Sequence, residues 1–295
     1  MMNTKRVKHN ESGVSEAIGY ILILGIMITG IGLITLYGYP ALLERQASTN
    51  VRNMERNMIA LQTDINSLTY ESVPYKETTM QVSGGALMVI PRPDPNPLGP
   101  TFPLIATTPE FAITYMYWDT TAIPPAFVER TIYFYPGELR YEPDSQDAVV
   151  EYENGMVHKR YWSDPIGSTT LSNPRWFIDE YEDPVTHIIT KTLVITLIQI
   201  TTEGTPPQSL SRNGISTVKM KVDPLPTYST DQDYGAGVGK EVTITYNSNS
   251  EYNYQTAWEN YFIPFPSEDP TGDTLLIKKV NRLVIKSYKI TVLGL

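Results

Sequence analysis

Cysteine is absent from this chain and histidine occurs only three times. The first absence excludes disulfides, cysteine-ligated zinc, iron–sulfur clusters and thiol nucleophiles. It leaves the compartment open, because oxidising spaces permit disulfides without requiring them. Basic side chains are also in short supply, with 23 Lys and Arg against 32 Asp and Glu for a net charge of −9. Gripping nucleic-acid phosphates takes clustered Lys and Arg, so nucleic acid is not expected as a partner. Charge is missing altogether from one stretch, Ala17 to Tyr39, which reads AIGYILILGIMITGIGLITLYGY.

That stretch holds the ~20 residues a helix needs to cross about 30 Å of hydrocarbon. A cleaved secretory signal is the rival reading, but its apolar region is usually only ~7–15 residues and ends in a small-x-small site. Here Tyr39 and Pro40 follow instead. Glycines at 19, 25, 30, 32 and 38 suit a membrane helix, where they let neighbouring backbones approach closely; a plain lipid-exposed anchor is the simpler alternative. Lys5, Arg6 and Lys8 precede the segment and Arg45, Arg52 and Arg56 follow it, so counting positive charges does not orient it. The short basic N-terminus and the large polar remainder suggest a single-pass protein of the cell membrane, N-terminus cytoplasmic and large domain extracellular.

Beyond Pro40, which is expected to kink the helix, Leu43, Ala47, Val51, Met54, Met58, Leu61, Ile65 and Leu68 recur at steps of four and three. This is an apolar stripe on a helix, and it serves either packing against the chain's own domain or self-association. The expected organisation is a leader over 1–13, a membrane helix over 14–39, a helical extension over 40–69 and a β-rich domain over 70–295.

The junction Gly13-Val14-Ser15-Glu16-Ala17-Ile18-Gly19, with a short basic leader before it and an unbroken apolar helix after it, resembles the N-termini of archaeal type IV pilin-like proteins. The resemblance implies a class III signal peptide, cut by a leader peptidase between Gly13 and Val14. It also implies a helix stored in the lipid bilayer that packs against copies of itself or other pilin-like subunits. Glu16 would align neighbouring subunits by pairing with a terminal amine, and Gly19, Gly25 and Gly32 would allow close helix packing. Gly137 to Tyr141 and Tyr152 to Gly155 are similar to short pieces of methanogen pilin-like membrane proteins with no assigned activity.

After Tyr70 the period changes to two. Thr131 to Tyr135, Thr217 to Val222 and Glu241 to Tyr246 alternate as half-buried strands do, and with 20 Tyr and 23 Pro the composition favours strands and loops. Asn154-Gly155 between Val149–Glu153 and Met156–Tyr161 is a hairpin signal, because a type I′ turn needs positive φ at both positions. Ile188–Ile200 is the longest strand expected, and Leu283–Leu295 closes the chain. Pro91 to Pro125 is expected to be a loop holding one strand, Phe111–Tyr117, and Asp223 to Gly239 is expected to be irregular. The fold class expected is mainly β with one long N-terminal helix and an antiparallel, β-sandwich-like domain.

Chemistry is sparse in the linear sequence. His9, His158 and His187 lack partners at metal-ligand spacing, and the last two fall in expected strands, so no metal site and no cofactor are expected. Gly235 to Lys240 fails as a phosphate loop, because Tyr234 stands at the first glycine position and Glu241 where Ser or Thr is needed. Asp231-Gln232-Asp233 opens like a calcium loop but lacks the glycine and the closing carboxylate. The acidic run Asp179 to Asp183 is more simply a solvated cluster than a cation site. Tyr254, Trp258 and Tyr261 fall at i, i+4 and i+7, the core stripe of a short helix rather than a sugar platform. The leading expectation is a non-enzymatic, pilin-like surface protein or filament subunit. A non-filament anchored binding module for a glycan, envelope or protein partner comes second, and an envelope glycoside-acting enzyme third.

Overall fold

A computed structural model describes residues 11–71, 73–91, 110–164, 167–247, 253–265 and 273–295, with side chains from Ala17 onward. Most of the Pro-rich stretch between Pro91 and Pro125 therefore lies outside the described residues, as does His9. The chain divides into two compact units, Met1–Thr49 and Asn50–Leu295.

The first unit is helical. Helix α1 (Glu11–Leu33) runs into a π-turn (Ile34–Gly38), and helix α2 (Tyr39–Tyr70) follows. Pro40 has no N–H to give to the carbonyl of Leu36, and the N–H of Tyr39 bonds to the carbonyl of Ile34, five residues back. The expected disturbance near Pro40 thus takes the form of a widened turn just before it. Apart from the half-covered Gly19 and Gly30, every residue from Ala17 to Gln46 is exposed.

The second unit takes in α2 from Asn50 onward and is otherwise built mostly of strands, of which the longest is β1 (Tyr75–Ile90), at 16 residues. Sequence periodicity does not reveal β1, because Gly84 and Gly85 interrupt it. The backbone reads as a strand all the same, with its register to β10 (Leu210–Val222) shifting between Val82 and Leu87. Gly85 is tied to its site by a close approach, since a Cβ there would stand 2.2 Å from the carbonyl oxygen of Glu142.

The other strands are β2 (Phe111–Asp119), β3 (Ala126–Phe134), β4 (Glu138–Pro143), β5 (Ala148–Glu153), β6 (Met156–Tyr161), β7 (Ser168–Ser172), β8 (Phe177–Glu182) and β9 (Ile189–Thr202), followed after β10 by β11 (Tyr228–Asp233), β12 (Lys240–Tyr246), β13 (Thr274–Val280) and β14 (Arg282–Gly294). A 10-stranded sheet runs β7-β6-β5-β4-β1-β10-β14-β9-β8, with β11 also on β14. A 4-stranded sheet runs β13-β12-β2-β3. All described pairings are antiparallel except β9 with β14, which run parallel from Thr192 opposite Arg282 to Thr202 opposite Val292. Strand β11 occupies part of the segment expected to be irregular, stitched to β14 along Tyr228–Asp233.

The mainly β, sandwich-like class expected from the sequence is what the chain adopts, with the parallel pair making the larger sheet mixed. Two cores flank that sheet. On one face Val51, Met54, Met58, Leu61, Ile65 and Leu68 of α2 pack among Leu139, Tyr141, Val150, Tyr152 and Val157. The apolar stripe of α2 is therefore buried against the chain's own domain from Val51 onward. On the other face the small sheet and the short helix α3 (Gln255–Phe262) pack over Leu193, Ile195, Leu197, Leu283 and Ile285.

Candidate functional site

The first candidate is the apolar helix. Its most hydrophobic 18-residue window has a mean hydropathy of 2.4 with no residue buried. Thr29 and Thr35 return their hydroxyls to the carbonyls of Gly25 and Ile31 at 2.7 and 2.9 Å, so their polar groups are satisfied within the helix. Gly25 and Gly32, seven residues apart, share a face, whereas Gly19, six before Gly25, points elsewhere. Nothing lies within 4 Å of a Cβ built on Gly19, Gly25 or Gly32. Gly13, Val14 and Glu16 fall within α1, but their side chains lie outside the described residues.

The second candidate lies inside the domain and was not legible as a site in the sequence. The turn Asn154-Gly155 has φ of 45° and 84°, as a type I′ hairpin requires, and it sets Glu151 opposite His158 and Glu153 opposite Met156. On the other flank β4 puts Arg140 opposite Glu151 and Glu138 opposite Glu153. With β7 placing Thr170 beside His158, a row Arg140–Glu151–His158–Thr170 crosses four strands on one face.

Helix α3 closes over this face. The N–H of Ala257 bonds to Ser168 Oγ at 2.9 Å and its carbonyl accepts from Thr170 Oγ1 at 3.1 Å, fastening α3 to β7. Tyr254 Oη donates to Glu151 Oε2 at 2.5 Å, and Trp258 Nε1 donates to Glu153 Oε2 at 3.1 Å. Arg140 reaches Glu151 Oε2 with Nε at 3.1 Å and also pairs with Glu138 and Glu142. Tyr254, Trp258 and Tyr261 are core residues, as the spacing predicted, and Trp258 is wholly buried.

Glu151 and His158 are 0% exposed and Glu153 is 3% exposed. Burial, and then the charge of Glu138, push the Glu151 carboxyl well above the usual carboxylate range, while Arg140 opposes them. Burial pulls the His158 imidazole down to about 3, which keeps the ring neutral. The ring lies tilted against Tyr254 with centroids 3.9 Å apart, yet among the described residues neither of its nitrogens has a hydrogen-bond partner, and nor does Glu151 Oε1. Buried polar atoms are rarely left this way.

Other charged features found partners. His187 sits in a turn with φ of 54° rather than in a strand, exposed and 2.8 Å from Glu182. In the acidic run, Lys191 takes Glu180 at 3.0 Å, and Asp183 accepts the N–H groups of Val185 and Thr186. Asp231 pairs with Arg282, and Asp233 accepts the N–H of Gly235 in the glycine-rich turn before β12.

The chain is thus a β-rich protein with one N-terminal helix long and apolar enough to cross a membrane. Residues 13–94, fewer than a third of its 295, match a family of unknown function (DUF7289). That region takes in the apolar helix, α2 and β1. No curated protein and no solved structure matches the chain.

Proposed function

We propose that this is a type IV pilin-like, membrane-anchored cell-surface protein that displays a β-rich domain and enters a filament as a subunit. The carrying observation is the Gly13-Val14-Ser15-Glu16 junction in the first turns of a helix that is exposed almost all round from Ala17 to Gln46. A helix that buries nothing in its own chain and is apolar on every side needs lipid or other helices around it. Gly25 and Gly30 lie in a shallow groove of about 460 Å³ with Ile21, Leu22 and Thr29, suited to close approach by a second helix, and Gly32 is not part of its lining. In this reading the lipid bilayer, a leader peptidase and copies of the chain are the partners, and Glu16 becomes the third residue of the mature protein. N-terminal mass analysis of the protein from its native membrane tests it. A start at Val14 is expected, and an intact leader would remove the terminal amine that subunit alignment requires.

A second reading, an anchored module that binds a glycan, draws on a groove of about 470 Å³ lined by Tyr117, Trp118, Phe127, Asp231, Gln232 and Asp233. Trp118 is 43% exposed and packs edge-on against Phe127 at 4.8 Å, so an aromatic face and carboxylates meet at one surface. Glycan-array binding by the full-length chain, lost on Trp118→Ala, would favour it.

A further inference from the structure

Three donor groups converge in the interior, and two of them, Glu151 and His158, carry buried polar atoms with no hydrogen-bond partner among the described residues. Glu151, Glu153 and His158 each offer one ligand atom, and those atoms lie within 4.8 Å of one another. His158 Nε2 stands 3.5 Å from Glu153 Oε2 without making a hydrogen bond. We propose that Glu151, Glu153 and His158 bind a divalent transition-metal ion, zinc by preference, as a buried structural site.

The donor types select the ion. One imidazole nitrogen with two carboxylates suits zinc and its first-row neighbours, whereas calcium takes 6–8 oxygens and magnesium keeps much of its water. Zinc bonds of about 2.0–2.2 Å require the three donors to close in by about 1 Å, a rotamer adjustment of two glutamates.

The surroundings tether both glutamates near the positions a metal site needs. Arg140 and Tyr254 occupy Oε2 of Glu151 and leave Oε1 open, and Trp258 fixes Glu153. Arg140 repels a cation, but it reaches Glu151 from β4, on the flank away from His158 on β6. A bound proton is the competing occupant. A proton on Glu151 satisfies one orphan atom and leaves both imidazole nitrogens bare. A metal ion takes the imidazole lone pair and Glu151 Oε1 together. Because the three side chains are closed to solvent, the ion enters as the chain folds, and its role is to hold the β5–β6 hairpin rather than to activate water.

The test is metal content of the full-length chain, purified in detergent without a histidine tag from zinc-supplemented cells and measured by plasma mass spectrometry. About one zinc per chain is expected. His158→Phe, which keeps a ring against Tyr254, and Glu151→Gln should each retain at least about tenfold less. Wild-type protein holding under about a tenth of an equivalent, or His158→Phe holding as much as wild type, overturns the proposal. Should the variants fail to fold, cobalt decides on the wild type alone. Refolding with Co²⁺ should give visible d–d bands that are missing when zinc is present during refolding, and a colourless cobalt-refolded protein overturns the site as surely.

Discussion

Strands β4, β5 and β6 present two faces, both buried, that were filled in opposite ways. Toward α2 they offer Leu139, Tyr141, Val150, Tyr152 and Val157, which meet the helix's methionines and leucines. Toward α3 they offer Glu138, Arg140, Glu151, Glu153 and His158, which meet a tyrosine and a tryptophan with hydrogen bonds to give. The first face is stabilised by area removed from water, and the second by the hydrogen bonds that Arg140, Tyr254 and Trp258 give to its carboxylates, with both His158 nitrogens and Glu151 Oε1 left over. Burial alone therefore does not decide what a strand may carry; the element laid over it does.

The sharpest way to break this comparison is to remove the cation from the polar face. Arg140→Met should cost about 3–5 kcal/mol, because it strands Glu138 and Glu151 inside the protein without their guanidinium. Adding Glu151→Leu should restore a large part of that loss, since the penalty belongs to the orphaned charge rather than to the lost attraction. Denaturant unfolding of the single and double variants in detergent measures both. Additive losses would mean that the polar face is held by packing, like its opposite.

On the apolar face, Leu61→Ala should cost about 2–5 kcal/mol through lost transfer energy and the cavity left behind. No companion deletion on that face should repair it. Combined with Arg140→Met the effects should add within about 0.5 kcal/mol, because the two sites share no partner across the sheet. Coupling larger than that would join the faces into one unit.

A smaller effect sharpens the boundary between the faces. Gln62, buried in the apolar stripe of α2, donates to the carbonyls of Gly155 at 2.6 Å and Asn173 at 3.0 Å. Asn154 Oδ1 in the same turn accepts from the N–H of Ile198 at 3.1 Å. The turn that sets the register of the polar row is thus anchored from the apolar side. Gln62→Leu should cost about 1–3 kcal/mol by leaving two carbonyls unpaired, and hydrogen exchange should rise first at β5 and β6.

These two faces were not equally legible. The stripe from Val51 to Leu68 and the hairpin at Asn154-Gly155 could be read directly, because period and turn chemistry are local. The polar row depends on register among four strands, so Glu151 and His158, seven apart, look unrelated until the hairpin is folded. The signal was there in part: a two-residue turn at 154–155 already places Glu151 across from His158. What no local rule supplies is Arg140 from β4 or Tyr254 from α3. Strand β1 was obscured by Gly84-Gly85, and β11 by its polar composition, Tyr-Ser-Thr-Asp-Gln-Asp. His187 was drawn into a strand by its apolar neighbours, whereas Asp183 folds that segment into a turn.

The smallest expected effect comes from a pair of the same chemistry outside both faces. Arg282 bonds Asp231 through Nε at 2.9 Å and Nη2 at 2.6 Å, with both side chains about half exposed at 52% and 51%. That hydrogen bond, ahead of the guanidinium's charge, holds the Asp231 carboxyl below its ordinary value. A carboxyl depressed in the folded state stabilises the fold above its unfolded value near 3.8, and the contribution fades as the pH falls through the folded value. Asp231→Asn should therefore cost less than about 1 kcal/mol at neutral pH, screened as the pair is by water. The difference from wild type should shrink in high salt and disappear at the acid end of a pH series followed by urea unfolding. Arg140→Met should keep its cost in high salt, because its partners sit beyond the reach of screening ions. If salt erased both penalties alike, the polar face would be open to water, and its contrast with the face under α2 would be lost.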